Sequence, residues 1–463
     1  MGASLLSIDG WYPTLRGGPS PRAALNLEDD RSASELEALW PTLGPGERVV
    51  LRVPPSARAR GRLSRLEALL EPSDQGESFV EFGGGGDLVA LLPTARGASF
   101  RSSLDLLPSD LPGGRALSAF LRLASPFSLA QRFGRPEVVV WTRLGHALPD
   151  RDLPALPVDG DLAVRVHVRD RARPVEVRAL DRRGAPRAWL KVGVSPVSDD
   201  AVRRESEAIR DVSPDLGERC SDLVAHGVRD GHAWLAIEHV AGLGAHRTLT
   251  RAHADLLLDL AGAGSEPRPL RECGSFTDGW RHLASLWREL DEAWHDDHSR
   301  LARAIERAAG DEPVPAARAH GRFAPEALGG DGGALRAVDW QDFEPEAPAL
   351  HDLFHFLCST PDHPAAEPGE AAWAALGGLL DGEPGRVVEG CAAAPDQLPV
   401  LLGLSLLLDS TTAELRGRQR LEGVAPSDAL RAARHGLVRR CTDLLEGLRA
   451  APWSPDVERQ EAA

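Results

Sequence analysis

Lysine is almost absent from this chain, so the single lysine present is the first candidate for a chemical role. Lys191 is the only lysine among 53 lysine and arginine residues in a chain of 463, and Asn26 is likewise the only asparagine. Both residue types have A-rich codons, so coding bias explains their scarcity. Under such a bias arginine replaces lysine wherever any cation suffices. A surviving lysine therefore indicates a site that needs a compact ammonium and not a planar guanidinium.

A carboxylate suited to pair with this lysine lies in the next predicted helix, 199–212. The apolar stripe of that helix runs from Val202 to Val212 at steps of three, four and three residues, and Glu205 falls within it. A charged group on an apolar face is costly unless it is paired. We therefore predict an ion pair between Lys191 and Glu205. The alternative is a glutamate at the edge of the stripe that reaches water or an arginine.

A second set of candidate residues lies in the C-terminal half of the chain. A predicted strand, 335–338, ends at Asp339. A carboxylate at a strand end beside a pocket is a suitable ligand for Mg²⁺. The glycine-rich turn 329–333 predicts a hairpin just after His320 and Gly321.

Together these segments resemble the aminoglycoside phosphotransferase family, the small-molecule branch of the kinase fold that includes choline kinases. The matching segments, in family order, are WLKV (189–192) with Glu205, HAWLAIEHVAG (232–242), HGRFAPEA (320–327), AVDW (337–340) and HDLFHFL (351–357). The resemblance implies an α+β two-lobed protein-kinase-like fold, with an antiparallel sheet lobe and a helical lobe. It also implies ATP between the lobes and a hydroxyl acceptor over the helical lobe.

The resemblance implies a role for each matching residue. In this fold a strand lysine paired with a helix glutamate fixes the α and β phosphates of ATP, which implies cofactor-binding roles for Lys191 and Glu205. Glu238 and Val240, at the end of the linker strand, are implied to bind the cofactor as well. Asp339 is implied to be the metal ligand.

The departures from the family lie at the catalytic positions. The family loop has the pattern HGDxxxxN, and this chain keeps His320 but has Arg322 at the position of the aspartate and Ala327 at that of the asparagine. Arginine cannot act as a base, because its pKa stays above about 12. The segment 169–177, before the lysine strand, also has no glycine. Asp352 is retained and is implied to cap or brace the catalytic loop.

This pattern suggests a degenerate kinase fold that acts as a nucleotide-binding or scaffold module, with phosphoryl transfer lost or reduced. We expect weak binding of ATP that depends only partly on Mg²⁺, together with a small hydroxylated molecule as a second ligand. For Arg322 we predict an ion pair with Asp339 that fills the metal position. The alternative is that Arg322 holds a phosphate bidentately.

Two other functions stay open at this point. One is an active small-molecule kinase that uses another carboxylate, such as Glu326 or Asp331, as its base. The other is a binding module derived from a methyltransferase, in which the N-terminal domain carries the function.

Two histidine pairs have the spacing of metal ligands. His351 and His355 stand one helical turn apart, as in the zinc motif HExxH, but Asp352 replaces the glutamate and no third ligand is evident. The kinase-like interpretation explains the same segment, so we do not expect a zinc site there. His295 and His298 are expected to lie in a solvated helix terminus.

The N-terminal part of the chain is predicted to be a separate α/β domain. Its predicted elements are helix 32–43 with Ser32 or Ser34 as its cap, strand 47–53, helix 58–70, and strands 77–82, 87–92 and 138–141. Their order weakly resembles the end of a class I methyltransferase domain, without the GxGxG loop of that family. We interpret the glycine run 83–86 as a turn, since it joins two strands and opens no helix.

The expected organisation follows from these segments. A proline-rich linker, 149–158, leads to predicted strands 162–168, 174–180 and 187–192, and strands 222–226 and 233–239 follow the helix 199–212. The expected domains are an α/β domain (1–150), a kinase-like N-lobe (151–245), a helical C-lobe (246–455) and a polar tail (456–463).

Composition excludes several classes of function. The formal net charge of −16 argues against non-specific binding to nucleic acid or to an anionic membrane. The longest apolar stretch, 398–408, is shorter than the roughly 20 residues that span a bilayer. No signal peptide is visible, and the five cysteines are widely spaced without a CxxC motif. We therefore expect a cytoplasmic protein; the sequence names no protein partner.

Overall fold

The computed structural model of the chain describes residues 22–27, 29–44, 47–54, 56–70, 75–82, 88–93, 97–106, 137–142, 161–167, 173–229, 231–244, 248–262, 267–286, 292–330, 334–359, 379–419 and 428–447. These residues belong to two compact units. The first unit comprises 1–203 and 223–239, and the second comprises 204–222 and 240–463.

The described strands of the first unit form one ten-stranded sheet. They are β1 (Ala23–Asn26), β2 (Arg48–Val53), β3 (Gln75–Phe82), β4 (Leu88–Pro93), β5 (Glu137–Thr142), β6 (Leu162–His167), β7 (Val175–Leu180), β8 (Pro186–Val192), β9 (Leu223–Arg229) and β10 (His232–Glu238). Their order in the sheet is β1-β2-β5-β3-β4-β6-β7-β8-β10-β9. The pair β1–β2 is parallel and the other pairs are antiparallel. Every strand predicted for this part of the chain is present, with ends shifted by up to three residues.

The sheet continues from the N-terminal strands into those expected for the kinase-like N-lobe. Strand β4 pairs with β6, with Leu88 opposite His167 and Leu91 opposite Val164. The predicted linker 149–158 lies outside the described residues. The predicted boundary at residue 150 therefore remains a prediction, although strands from both sides of it share one sheet.

Helices cover the sheet of the first unit. They are α1 (Asp30–Leu39), α2 (Ala57–Leu66) and α3 (Gly97–Ser102), while α4 (Pro196–Leu216) begins in the first unit and ends in the second. The predicted cap of α1 was wrong. Asp29 adopts an extended backbone, and its side chain accepts a hydrogen bond from the Ser32 N–H at 2.8 Å. An extended residue just before the first turn is the one that can reach that orphan N–H.

The two faces of the sheet bury different side chains because successive strand residues point to opposite faces. On β2, Val50 packs into one core cluster, whereas Val49 and Leu51 pack into another with residues of α1 and α2. A third cluster forms between α3 and strands β4, β6 and β7. There the buried Arg178 lies 5.0 Å over the ring of Trp189 and donates to the Ser102 carbonyl at 3.0 Å.

The second unit is mainly helical. Its further helices are α5 (Arg251–Gly262), α6 (Gly274–Leu286), α7 (Glu292–Ala309), α8 (His351–Ser359), α9 (Gly382–Gly390), α10 (Leu398–Gln419) and α11 (Asp428–Gly447). Three described strands form one small sheet, β11 (Pro267–Pro269), β12 (Pro313–Ala319) and β15 (Glu344–Pro348), and β13 (Leu328–Gly329) pairs with β14 (Arg336–Ala337) in a hairpin.

Helix α10 forms the centre of the second unit. The segment Pro395–Leu415 is long and apolar enough to cross a membrane by length and composition, but 78% of its apolar window is buried inside the protein. A helix that is apolar all round and covered by other helices is typical of a protein core. Asp409 is a charged residue in the interior of this segment, whose other charged residues, Asp396 and Glu414, stand near its two ends.

The expected solvated terminus at His295 and His298 was wrong, because both side chains are buried in α7. His298 stacks on Trp294 with ring centroids 3.5 Å apart, and its Nδ1–H donates to the Trp294 carbonyl at 2.8 Å. Burial lowers the pKa of His298 to about 4. Within the described part of the chain, no group of three or more histidine, cysteine or acidic residues is arranged to hold a metal ion.

Candidate functional site

The predicted catalytic loop begins where β12 ends, at His320. Gly321 follows with φ of +78°, a conformation that glycine adopts at little steric cost. A Cβ atom at this position would lie 1.8 Å from the carbonyl oxygen of Asp342. The loop therefore requires glycine here, both for its backbone angle and for the closeness of the neighbouring chain.

Asp352, in the first turn of α8, braces this loop. One of its carboxylate oxygens accepts the N–H of His320 at 2.5 Å, and the other accepts the N–H of Gly321 at 2.9 Å. The side chain is buried, with 4% exposure. Hydrogen bonds from buried N–H groups to a carboxylate are strong. The bracing contact expected for Asp352 is therefore present.

The ring of His320 is held in one tautomer by two hydrogen bonds. Its Nε2–H donates to the Val338 carbonyl at 2.8 Å, because a carbonyl can only accept. Nδ1 is then the acceptor for the Arg322 N–H at 3.3 Å. Burial lowers the pKa of His320, and the ring packs on Trp340 at a centroid distance of 4.5 Å. His320 thus shapes the loop as a neutral, buried residue.

Arg322 and Asp339 form the ion pair that the sequence predicts. The guanidinium Nη1 lies 3.3 Å from Oδ2 of Asp339, with side-chain exposures of 39% and 25%. Asp339 has φ of +70°, a left-handed conformation that aspartate tolerates better than most residues. The positive charge of Arg322 is therefore directed at the carboxylate that was expected to hold metal.

These residues fit a divalent cation poorly. One of the two carboxylate oxygens of Asp339, Oδ2, contacts Arg322, and Ala327, at the other expected ligand position, carries only a buried methyl group. Hard cations such as Mg²⁺ bind oxygen ligands and are repelled by a nearby guanidinium. Of the alternative bases, Glu326 is exposed, whereas Asp331 lies outside the described residues.

The predicted cofactor-binding residues are distributed over both units. Lys191, on β8 of the first unit, is 4% exposed, and Glu205, on the part of α4 in the second unit, is fully buried. Glu238 ends β10, and Val240 follows in the second unit with 4% exposure. Both ends of the predicted ion pair are thus removed from water, and the pair itself remains a prediction.

Sequence reasoning missed one ionic cluster on α8 and α10. Nδ1 of His355 lies 3.1 Å from one carboxylate oxygen of Asp409, and Nε2 of His351 lies 3.5 Å from the other. The sequence did carry a signal for this cluster, because Asp409 is a charged residue within an apolar helix. The same argument identified Glu205.

The charges of this cluster support one another. Burial alone would raise the pKa of Asp409, but His355 and His351 lower it to about 2. Burial alone would lower the pKa of His355, but Asp409 raises it above its ordinary value. The carboxylate is therefore ionised at neutral pH, and the His355 imidazole holds its proton more tightly than a solvated one.

No protein-family model matches this sequence, and the search of curated proteins found no match. Several solved structures are similar. Aminoglycoside-3'-phosphotransferase of type VIII is 20% identical over 52% of this chain and 88% of its own, with a TM-score of 0.35. A choline/ethanolamine kinase family protein from Mesorhizobium loti is 20% identical over 59% of this chain and 85% of its own, with a TM-score of 0.38.

A thermostable mutant of an aminoglycoside phosphotransferase, in a ternary complex with ADP and hygromycin B, is 12% identical over 64% of this chain and 93% of its own. Its TM-score is 0.41. The structural neighbours of this chain are thus aminoglycoside phosphotransferases and a choline/ethanolamine kinase, at low identity. With TM-scores this low, the residues of the site have to support any function.

Proposed function

We propose that this chain is a kinase-fold protein of the aminoglycoside phosphotransferase type that binds a nucleotide, with phosphoryl transfer through the family's base position lost. Its second ligand is a small hydroxylated molecule. The observation that carries this proposal is the ion pair between Arg322 and Asp339 at 3.3 Å. This ion pair joins the expected base position, where the chain departs from the family pattern, to the expected metal ligand.

The missing base sets the expected size of the defect. A general base typically contributes about 10²- to 10⁴-fold to the rate of proton transfer in a reaction. Kinases commonly turn over at about 1–100 per second. Arg322 cannot accept a proton, so transfer through this position is expected to fall below the usual range by at least that factor.

The loop itself supports a binding role. His320 and Gly321 are still braced by Asp352 through two short hydrogen bonds, and the glycine that the loop geometry requires is present. The proposal therefore separates the backbone of the loop, which these contacts hold, from the side chains at the expected base and metal positions, where Arg322 and Ala327 stand.

Weak dependence on Mg²⁺ follows from the same ion pair. A pair exposed to this degree is worth about 0–1 kcal/mol, so a ligand with several charges can open it. Opening it would leave one carboxylate, Asp339, and no partner from Ala327. We expect nucleotide binding to change by no more than about 5-fold when Mg²⁺ is removed.

Thermal unfolding with nucleotide tests this proposal. A ligand that binds only the native state raises the melting temperature. ATP, ADP and GTP are added separately, each with Mg²⁺ or with EDTA. We expect a rise with at least one nucleotide that persists in EDTA. No rise with any nucleotide, or a rise that EDTA abolishes, would contradict the proposal.

The predicted pair of Lys191 and Glu205 has its own test. Lys191→Met, Glu205→Gln and the double variant form a double-mutant cycle for unfolding and for nucleotide binding. Residues in contact show coupling of about 0.5–3 kcal/mol. We expect coupling in both measurements, whereas additive effects would show that the two groups do not interact.

A further inference from the structure

We infer that Arg318 is a positioning residue of this site: it fixes the helix that carries Glu205 to the strand that leads into the loop at His320. The inference rests on the proposed function, because Glu205 is one of the residues expected to support nucleotide binding. It deepens that proposal by naming what holds Glu205 in place. Arg318, His320 and the part of α4 from residue 204 onward all belong to the second unit.

The first support is the contact of Arg318 with two carboxylates of α4. Its Nη2 lies 2.5 Å from Oδ2 of Asp215, and its Nη1 lies 3.9 Å from Oδ2 of Asp211. These two aspartates are four residues apart in the helix, so they stand on the same face, one turn from each other. The planar fork of one guanidinium therefore holds two successive turns of α4.

The second support is the burial of the cation. The side chain of Arg318 is 12% exposed, whereas those of Asp211 and Asp215 are 59% and 49% exposed. Within the described part of the chain, its Nε is buried and makes no hydrogen bond. A buried charge is costly unless a partner compensates it. The two carboxylates therefore determine where this guanidinium lies, and α4 is held with them.

Both elements are irregular where they meet this contact. The register of β12 with β15 shifts between Ala317 and Ala319, at Arg318. A bulge of this kind re-aims a side chain. Helix α4 contains Pro214, which has no N–H and so removes one backbone hydrogen bond from the last turns of the helix. These turns therefore depend on side-chain contacts such as that with Arg318.

A second contact ties the end of α4 to the other strand that enters the site. Cys220, just after α4, pairs with Ala337 of β14, and the Ser221 N–H donates to the Ala337 carbonyl at 3.4 Å. Strand β14 leads to Asp339, as β12 leads to His320. Helix α4 is thus joined to both strands that carry the residues of the site.

A helix held in this way makes the site preorganised. When the contact of Arg318 is broken, α4 samples positions in which Glu205 is displaced from the loop. The apparent dissociation constant of a ligand then rises by the reciprocal of the fraction that is competent to bind. Substitutions that weaken a link between two parts of a protein change their coupling by factors of about 2 to 30. We expect an effect of this size on nucleotide binding.

The experiment measures the Kd of the full chain for ATP, ADP and GTP by calorimetry, and amide hydrogen exchange without nucleotide. Arg318→Met keeps the aliphatic stem and removes the charge. We expect its Kd to be about 2- to 30-fold higher than that of the wild type. We also expect faster exchange both in residues 206–216 and at His320 and Gly321, because the helix and the loop are held by the same contact.

Arg300→Met is the matched control. Arg300 also contacts two carboxylates about one helical turn apart, Asp443 and Glu446 of α11, and it lies on α7 of the same unit. Its contacts are exposed, and exposed ion pairs contribute about 0–1 kcal/mol to stability. This variant should leave the Kd of the nucleotide unchanged, and it should leave the exchange of α4 and of the loop unchanged.

The Glu205→Gln background shows whether Arg318 acts through Glu205. In this background Arg318→Met should change the Kd by less than about 2-fold, because the group that Arg318 positions is gone. A loss of affinity that persists in full in this background would overturn the positioning role, since the loss would then have another cause.

The wild type separates this inference from the proposed function. No binding of any of the three nucleotides means that the proposed function fails, and the positioning role fails with it. Binding by the wild type with an equal Kd in Arg318→Met overturns the positioning role alone. The same holds if Arg300→Met reproduces the loss, or if Arg318→Met speeds exchange in α4 but not at His320 and Gly321.

Discussion

Replacing Asp352 with asparagine should loosen the loop at His320 and Gly321 without changing the shape of the side chain. The carboxylate accepts the N–H of His320 at 2.5 Å and that of Gly321 at 2.9 Å, and it is buried. An amide can keep one of these bonds, but its NH₂ group then faces the other N–H. The variant therefore loses one hydrogen bond to a charged group. It also leaves the asparagine NH₂ facing a backbone N–H, so that two donors oppose each other.

The size of the effect follows from these two contacts. A hydrogen bond to a charged group is worth about 1.5–3 kcal/mol, and an unsatisfied buried donor costs about 1–3 kcal/mol. Because part of the same loss is counted in both, we expect a net destabilisation of about 2–4 kcal/mol for the loop. At 1.36 kcal/mol per factor of ten, this corresponds to about 30-fold or more in the opening equilibrium.

Amide hydrogen exchange reports this opening directly. In Asp352→Asn, protection of the His320 and Gly321 amides should fall by about 30-fold or more. Asp311→Asn is the matched control, because Asp311 is exposed in the turn after α7 and surface substitutions usually change stability by less than about 0.5 kcal/mol. Equal protection in Asp352→Asn and in the control would refute the bracing role.

Two further predictions concern the backbone of the loop and the pH dependence of stability. Gly321→Ala should destabilise by about 2–5 kcal/mol in urea unfolding, because it combines positive φ with a clash against Asp342, whereas Gly310→Ala, with φ of +56° and open space, should cost only about 1–2 kcal/mol. The lowered pKa of Asp409 stabilises the fold above about pH 4, and this stabilisation is lost as the pH falls through about 2. The raised pKa of His355 stabilises the fold below about pH 6.5, and this stabilisation is lost as the pH rises through the pKa that His355 has in the folded protein. The melting temperature of Asp409→Asn should thus lie furthest below that of the wild type between about pH 4 and pH 6.5. A difference in melting temperature that does not change with pH would contradict this pKa argument. Equal losses of unfolding free energy in Gly321→Ala and Gly310→Ala would contradict the argument about the loop backbone.

Local patterns predicted most of the strands, and the family resemblance predicted the pairing partner of Arg322. The helix 199–212 is present within α4, and Glu205 is buried as its place in an apolar stripe requires. Asp339 accepts a hydrogen bond from Arg322, the pairing that the resemblance implied. These features depend on residues close in sequence or on a shared motif order.

Pairings between distant segments could not be predicted in the same way. The continuation of the sheet from β4 to β6 depends on which strand edges meet, and strand periodicity does not record this. The contact of His355 with Asp409 joins residues 54 positions apart in sequence. The burial of His298 likewise depends on packing within the helical unit, since a charged neighbourhood in the sequence suggested solvent.

The most direct test of the proposed function is a double substitution at the proposed base and metal-ligand positions, 322 and 327. Arg322→Asp with Ala327→Asn installs the aspartate and asparagine of the pattern that the loop resembles, and it removes the cation that contacts Asp339. ADP release from ATP with Mg²⁺ is measured for both proteins. We predict slow release by the wild type and a rise of about 10²-fold or more in the double variant. Release by the wild type at ordinary kinase rates of about 1–100 per second, with no gain on reversion, would contradict the account.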